Sequence, residues 1–172
     1  MGFYPKLGYL IFGSRLRRLS EYFLAEVNKV YSQAGIGFDA SWFPLFYLLS
    51  EKEQLTLMDI ATELEVSHSA VSQLVTNLKK KGLVKTSRCE EDGRRQWVAL
   101  TKKGSALLEQ VLPVWKGIDV AMQELVAEHK QSSKILEAIN TLEQAVEALP
   151  LAERIRRRLP AGMQTDVHPT GG

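Results

Sequence analysis

Hydrophobic residues recur at helical spacing along much of this chain. Between Leu7 and Tyr31 the apolar positions form one stripe, which predicts a long helix that ends before Gly35. An aromatic-rich stretch from Trp42 to Ser50 predicts a second helix, with Asp39 or Ser41 as its cap. The N-terminal part of the chain is therefore expected to be helical.

The C-terminal part carries a second helical pattern. Thr101 is predicted to cap a long helix whose apolar positions continue to Leu125, and Pro113 inside it should bend it. A last helix is predicted over residues 135–149, where apolar residues recur at spacings of four and three, as in helices that pack lengthwise on one another. These stripes are longer than a core of this size can cover, which favours a partner chain. Residues 150–172 are polar and basic and are expected to be disordered.

The central block has a different pattern. It predicts two short helices, Thr56–Leu64 and Ser67–Lys81, with Ser67 as the N-cap of the second and a glycine directly after it. Two short apolar runs, Leu83–Thr86 and Gln96–Leu100, flank a polar turn and predict a β-hairpin. The predicted fold class is therefore mainly α with a small β-hairpin.

The two short helices have the residues that a helix-turn-helix requires. Such a motif needs a small residue where its helices cross, and apolar residues on both sides of the turn. Here these residues are Ala61, Leu64, Val66, Val71 and Leu74. The turn position holds Glu65, where glycine is common, and a positive φ at a non-glycine residue costs about 1 kcal/mol.

With those residues buried, polar side chains fall on the outward face of the second helix. They are Ser67, His68, Ser69, Ser72, Gln73 and Asn77. Such side chains near a helix N-terminus suit base edges in the major groove and the flanking phosphates. On an isolated helix the same residues would more often form a plain solvated face.

Charge is concentrated in the same part of the chain. Residues 67–103 carry nine basic and three acidic side chains, a balance of +6, although the whole chain has a net charge of only +2. Such a patch is typical of a surface that binds a polyanion. The basic hairpin makes the motif a winged helix, and the candidate contacts around it are Lys79, Arg88, Asp92, Arg94 and Arg95. An arginine at the wing tip suits the minor groove, and Asp92 either orients Arg94 or forms the turn.

These segments resemble the multiple-antibiotic-resistance regulator (MarR) family. The resemblance rests on Leu57–Ala61, Val66–Ser72, Leu78–Val84, Asp92–Arg94 and Leu100–Gly104. The family wing usually reads Asp-Arg-Arg, and here glycine replaces the first arginine. The resemblance implies a winged helix-turn-helix with dimerisation helices at both ends, a homodimer that binds a pseudo-palindromic operator on double-stranded DNA, and a minor-groove contact by Arg94. It also implies a small-molecule or oxidant signal.

The predicted organisation follows from these segments. It comprises an N-terminal dimerisation helix (1–38), a DNA-binding domain (39–103), C-terminal dimerisation helices (104–149) and a basic tail (150–172). The predicted function is transcriptional regulation, as a ligand-responsive repressor. Two alternatives remain: a winged helix that binds an acidic protein partner, and a regulatory module of an acetyltransferase system.

Other functions have weaker support in the sequence. A pocket for a small aromatic or phenolic effector would be lined by Phe12, Arg15, Trp42, Phe46 and Trp115, although aromatic residues at this spacing are more often core. Cys89 is the only cysteine, which fits a reducing compartment but gives little support for redox sensing. The chain shows no catalytic constellation and no metal-ligand spacing, so we expect no enzyme activity, metal or cofactor. No apolar run is long enough to span a membrane, and we expect a cytoplasmic protein.

Overall fold

A computed structural model describes residues 6–88 and 95–163, which are mainly helical with one small sheet. The helices are α1 (Phe12–Gln33), α2 (Phe43–Glu51), α3 (Leu57–Glu63), α4 (His68–Lys80), α5 (Lys102–Ala127), α6 (Ile135–Ala148) and α7 (Leu151–Arg156). The strands are β1 (Leu55–Thr56), β2 (Val84–Arg88) and β3 (Gln96–Leu100), and short 3-10 turns cover Gly8–Ile11, Ala40–Trp42 and Ala161–Met163. The predicted fold class is thus confirmed.

The sheet consists of the predicted hairpin and one strand that the sequence pattern did not reveal. β3 lies in the middle and pairs antiparallel with β2, with Arg88 opposite Gln96. On its other side β3 pairs with β1, where Leu55 lies opposite Val98. β1 has only two residues, too few for an alternating pattern to be visible. This pairing places the middle of β3 beside the start of α3.

The N-terminal helix begins later than predicted and ends, as predicted, before Gly35. A 3-10 turn covers Gly8–Ile11, and the regular helix begins only at Phe12 and continues to Gln33. Gly35 then has φ +68°, a conformation that glycine adopts without strain, so the chain reverses there. Asp39 caps the 3-10 turn before α2 by accepting a 2.8 Å hydrogen bond from the backbone N–H of Ser41.

The chain divides into two compact units, Met1–Asp119 and Val120–Gly172. The first unit holds the hydrophobic core. The four helices α1, α2, α3 and α4, the sheet and the first half of α5 all contribute to it. Its largest fully buried side chains are Tyr31, Leu45, Phe46, Ile60, Val71, Leu78, Val84, Val98 and Val111. The domains predicted from the sequence, with boundaries at residues 38, 103 and 149, were defined by their expected roles, whereas these two units are defined by compactness. The predicted division remains a prediction.

A tight joint connects the end of α4 to the start of α5. Thr101 caps α5 as predicted, since its Oγ1 accepts a 3.0 Å hydrogen bond from the N–H of Gly104. The same hydroxyl donates a 2.6 Å hydrogen bond to the carbonyl oxygen of Gly82, two residues after the end of α4. The backbone approaches so closely that a Cβ on Gly104 would lie 2.0 Å from the carbonyl oxygen of Leu83. This joint fixes the hairpin relative to α4.

The second unit contains an apolar stripe that it does not cover itself. Ile139 and Leu142 on α6 remain 38% and 48% exposed. After α6 the chain forms α7, so the expectation of disorder from residue 150 was wrong for Leu151–Arg156. The guanidinium of Arg154 explains part of this order, because it donates hydrogen bonds to the carbonyl oxygens of Ala145 and Leu149 at the end of α6. Residues 164–172 lie outside the described residues.

Candidate nucleic-acid interface

The site is built on the helix pair α3 and α4. Ile60 is fully buried and Ala61 is 7% exposed, and they pack where α4 presents Val71. Glu65 in the turn has φ +53°, as predicted from its position in the motif. Val66 was predicted to be a buried anchor of the turn, but its side chain is 44% exposed. Its N–H instead donates a 3.1 Å hydrogen bond to the carbonyl oxygen of Ala61, so the backbone fixes the turn.

The N-terminus of α4 is capped as the sequence predicts. Ser67 Oγ accepts a 3.2 Å hydrogen bond from the N–H of Ala70, and the hydroxyls of Ser67 and Ser69 lie 2.9 Å apart. This arrangement satisfies one free N–H of the first turn and leaves others available. A helix N-terminus with free N–H groups is favourable for a phosphate.

The outward face of α4 carries an unbroken row of polar side chains. His68, Ser69, Gln73 and Asn77 are exposed, and Ser72 is half-buried. The helix therefore presents to solvent the side chains that the sequence predicted, while Val71, Val75 and Leu78 face the core.

Two further residues belong to this row and were missed by sequence reasoning. Thr76 and Lys80 are exposed and line the same open depression as His68, Gln73 and Asn77. Their positions continue the helical spacing of three to four residues from Ser69 through Ser72 and Gln73. That spacing was the signal that could have identified them.

The structure describes only part of the wing. Arg88 is exposed at the end of β2, and Arg95 is exposed directly before β3. Cys89, Asp92 and Arg94 lie outside the described residues. The Lys79 ammonium donates a 2.8 Å hydrogen bond to Thr86 Oγ1, so this lysine reaches toward the hairpin.

Arg95 lies close to the first turn of α3. There Asp59 and Thr56 form a capping box, in which the Asp59 carboxylate accepts hydrogen bonds from the hydroxyl and the N–H of Thr56 at 2.7 and 3.1 Å. These hydrogen bonds lower the pKa of Asp59, and the positive charges of Arg95 and Lys52 lower it further. The sequence predicted that Arg95 contacts DNA, but it did not reveal that this residue lies near the carboxylate of Asp59.

The residues proposed for an effector pocket separate into two groups. Phe46 is fully buried, and Phe38 packs edge-to-face on Phe46, Trp42 and Trp115 with ring centroids 5.0 to 6.1 Å apart. The indole N–H of Trp115 donates a 3.0 Å hydrogen bond to the hydroxyl of Tyr31. These rings are therefore part of the core. Phe12 and Arg15 are exposed on α1.

The described residues include neither a membrane-spanning helix nor a metal-binding cluster. No helix in 6–88 or 95–163 is both long and apolar enough to cross a membrane. Within the same ranges, no group of three or more His, Cys, Asp or Glu side chains is placed to hold a metal ion. In α7, Glu153 pairs with Arg156 and Arg157, while Arg154 caps α6.

Comparisons with known proteins agree with this architecture. Residues 36–95 match the sequence model of the MarR family. Over 131 residues the chain is 30% identical to the HTH-type transcriptional regulator YfiV of Bacillus subtilis, a match that covers 69% of this chain and 79% of YfiV. Over 99 residues it is 28% identical to the HTH-type transcriptional repressor IacR of Pseudomonas putida, covering 54% of this chain and 59% of IacR.

The fold is also found in solved structures. The crystal structure of the M. tuberculosis transcriptional regulator MosR in complex with DNA aligns with a TM-score of 0.64 at 22% identity. The alignment covers 80% of this chain and 97% of MosR, so the two proteins share a fold. Against IacR and two other curated regulators, however, the match spans only 56–61% of the relative's own length.

Proposed function

The chain belongs to the MarR family, and from this premise we propose that it is a sequence-specific DNA-binding transcriptional regulator. It binds a pseudo-palindromic operator as a homodimer, with α4 in the major groove and the β2–β3 wing beside it. Regulation takes place through occupancy of DNA and not through catalysis. The protein acts in the cytoplasm, the compartment that holds its operator DNA.

The outward face of α4 is the observation that carries the proposal. His68, Gln73 and Asn77 are exposed, and among the described residues their side chains have no hydrogen-bond partner in the chain. Together they offer both donors and acceptors, which the base edges of the major groove require. A face that contacts only solvent would not require this combination of donors and acceptors. The lysine-rich end of α4 beside it favours contact with a phosphate backbone.

The charge distribution supports the same partner. Lys79 and Lys80 lie in the last turn of α4, and Arg88 is exposed at the end of β2. Contacts of this kind release counterions from DNA, so affinity falls steeply with salt. Arg94 lies outside the described residues, and its minor-groove contact remains a prediction from the family resemblance.

Uncovered apolar side chains on two helices support the homodimer. On α1, Leu16 and Leu19 are 48% and 50% exposed. On α6, Ile139 and Leu142 form a similar stripe. Large exposed apolar surface on a small domain is typical of a protein interface. A two-fold axis would place two copies of α4 one turn of DNA apart.

The direction of regulation is proposed as repression relieved by a small aromatic or phenolic effector. IacR, one of the relatives, is a repressor. The aromatic core that contains Trp42 and Trp115 lies directly beside the helix-turn-helix, where a bound ligand could alter the position of α4. Phe12 and Arg15 remain proposed contacts of such a ligand.

A capture experiment tests the proposal. Purified protein is incubated with sheared genomic fragments in dilute salt, and the retained fragments are sequenced. We expect a small set of fragments that share an imperfect inverted repeat, with half-sites about ten base pairs apart. The logarithm of the binding constant should fall linearly with the logarithm of the salt concentration. Retention of random fragments, or of none, would contradict the proposal and favour a protein-binding winged helix.

A further inference from the structure

Most of α4 carries no formal charge. From Val66 to Leu78 the chain has no aspartate, glutamate, lysine or arginine, and the first such residue of the helix is Lys79. Arginine and lysine form the commonest specific contact with guanine, in which they donate hydrogen bonds to its O6 and N7 atoms. The part of α4 before Lys79 therefore lacks the side chains that most often read guanine.

Amide side chains are the readers that this face does offer. Gln73 and Asn77 each carry a donor and an acceptor side by side, the arrangement that pairs with the N6 and N7 atoms of adenine. Both are exposed, and within residues 6–88 and 95–163 neither side chain forms a hydrogen bond. The hydroxyls of Ser67 and Ser69, by contrast, lie 2.9 Å apart at the cap of the helix. The two amides are therefore free to contact a base.

Gln73 is the better placed of the two amides. It lies in the second turn of α4, whereas Asn77 lies one turn further on, toward the lysines at the end of the helix. In helix-turn-helix proteins the N-terminal residues of the second helix contact the base edges. The glutamine side chain is also one methylene longer, so its amide reaches further from the helix axis. These positions favour Gln73 as the reader of adenine.

Thr76 follows Gln73 after about one helical turn, on the same face. Both are exposed and line the same open depression. Three residues advance an α-helix by about 4.5 Å, which is comparable to the rise of about 3.4 Å between stacked base pairs. A helix that places Gln73 against one base pair therefore places Thr76 beside a neighbouring pair. The methyl group of a threonine suits contact with the methyl group of thymine.

We propose that Gln73 and Thr76 read two neighbouring A·T pairs in each half-site, an assignment that rests on the proposed DNA-binding function. The Gln73 amide accepts a hydrogen bond from the N6 amino group of adenine and donates one to N7. The Thr76 methyl contacts the C5 methyl of thymine in the adjoining pair. Guanine presents the acceptor O6 in place of the amino group, so one of the two Gln73 hydrogen bonds would be lost.

Selection from a random duplex library locates the first of these pairs. It is the position at which Gln73→Ala relaxes the consensus, and we expect an A·T pair there in the parent consensus. A G·C pair at that position, with specific binding intact, would overturn the assignment. Failure of the parent protein to select any consensus would instead refute the proposed function.

A base analogue tests the Gln73 contact. In one half-site the adenine is replaced by 7-deazaadenine, which lacks the N7 acceptor, and binding to full-length protein is measured by fluorescence anisotropy. We expect parent affinity to fall about tenfold, whereas Gln73→Ala should bind both duplexes equally. Asn77→Ala, the matched loss of an amide on the same face, should keep the tenfold difference. If Asn77→Ala lost the difference and Gln73→Ala kept it, the adenine would belong to Asn77 and the proposal would be overturned.

Removal of one methyl group from either partner tests the Thr76 contact. Uracil in place of the thymine of the adjoining pair should weaken parent binding about fourfold, the effect of burying one methyl group. Thr76→Ser keeps the hydroxyl but lacks the methyl, so it should bind the thymine and uracil duplexes equally. Thr141→Ser on α6 is the control and should keep the fourfold difference. Equal binding of both duplexes by the parent protein would overturn the Thr76 contact.

Discussion

Lys79 Nζ, in the last turn of α4, donates a 2.8 Å hydrogen bond to Thr86 Oγ1 in the middle of β2. The bond connects the helix that would read the major groove to the strand that supports the wing. An ammonium predicted to contact DNA therefore also links α4 to β2. It adds to the joint at Thr101 and Gly104 in holding β2 against α4.

Thr86→Val tests this connection. Valine keeps the β-branched shape but removes the acceptor, and the bond contributes about 1 kcal/mol. We expect operator affinity to fall about fivefold in fluorescence anisotropy, because β2 is held less firmly against α4. Thr141→Val on α6, which loses a hydroxyl bonded to the Glu137 carbonyl, is the matched control and should leave affinity unchanged. Equal effects of both variants would refute a role for the Lys79–Thr86 bond.

The close approach of α5 to the chain after α4 is tested at a glycine. In Gly104→Ala the new Cβ would collide with the carbonyl oxygen of Leu83 at 2.0 Å, and backbone cannot move as a side-chain end can. We expect a loss of about 3 kcal/mol in the free energy of unfolding in urea. Gly117→Ala, in the same helix, meets no atom within 4 Å and should gain about 0.5–1 kcal/mol. An unchanged free energy of unfolding for Gly104→Ala would mean that Gly104 and the backbone of Leu83 approach each other less closely than described.

The strained turn between α3 and α4 gives a third prediction. Glu65 has φ +53°, which favours glycine. Glu65→Gly should raise the free energy of unfolding by about 1 kcal/mol, measured by urea denaturation. Glu65→Ala removes the same charge but keeps the strain, so it should gain nothing. If both variants had the same stability, the effect would come from charge and not from the backbone.

The local parts of the fold could be predicted from sequence because their signals are local. Ser67 caps α4, and Gly82 follows it with φ +73°. The strand Gln96–Leu100 lies where its short apolar run placed it. In each case a cap, a turn residue or an apolar run acts within a few residues, and the local structure does not depend on a distant contact.

Features that depend on distant contacts were not predictable. Val66 is an apolar residue beside a turn, yet it is exposed because the backbone, and not its side chain, fixes that turn. β1 exists only because β3 pairs with it, and the position of Arg95 near Asp59 follows from that pairing. The helix α7 owes part of its order to Arg154, whose bonds to α6 no local pattern reveals.

The exposed stripe on α6 gives a test of the proposed homodimer. Leu142→Glu places a charge in the stripe, and its burial in an interface would be costly, so we expect a monomer in sedimentation experiments. Gln144→Glu adds the same charge two residues later, on the other side of α6, and should leave the dimer intact. If Leu142→Glu remained dimeric, α6 would not belong to the interface.

Base selection by α4 is the most direct test of the central claim that its outward face reads DNA. Duplexes are selected from a random library by the parent protein and by Gln73→Ala, with Gln144→Ala as a control for loss of an exposed glutamine. We predict that Gln73→Ala relaxes the consensus at one position in each half-site and costs about 1–3 kcal/mol for the parent sequence. The control should return the parent consensus. An unchanged consensus for Gln73→Ala, or no duplex retained by the parent protein, would contradict the account.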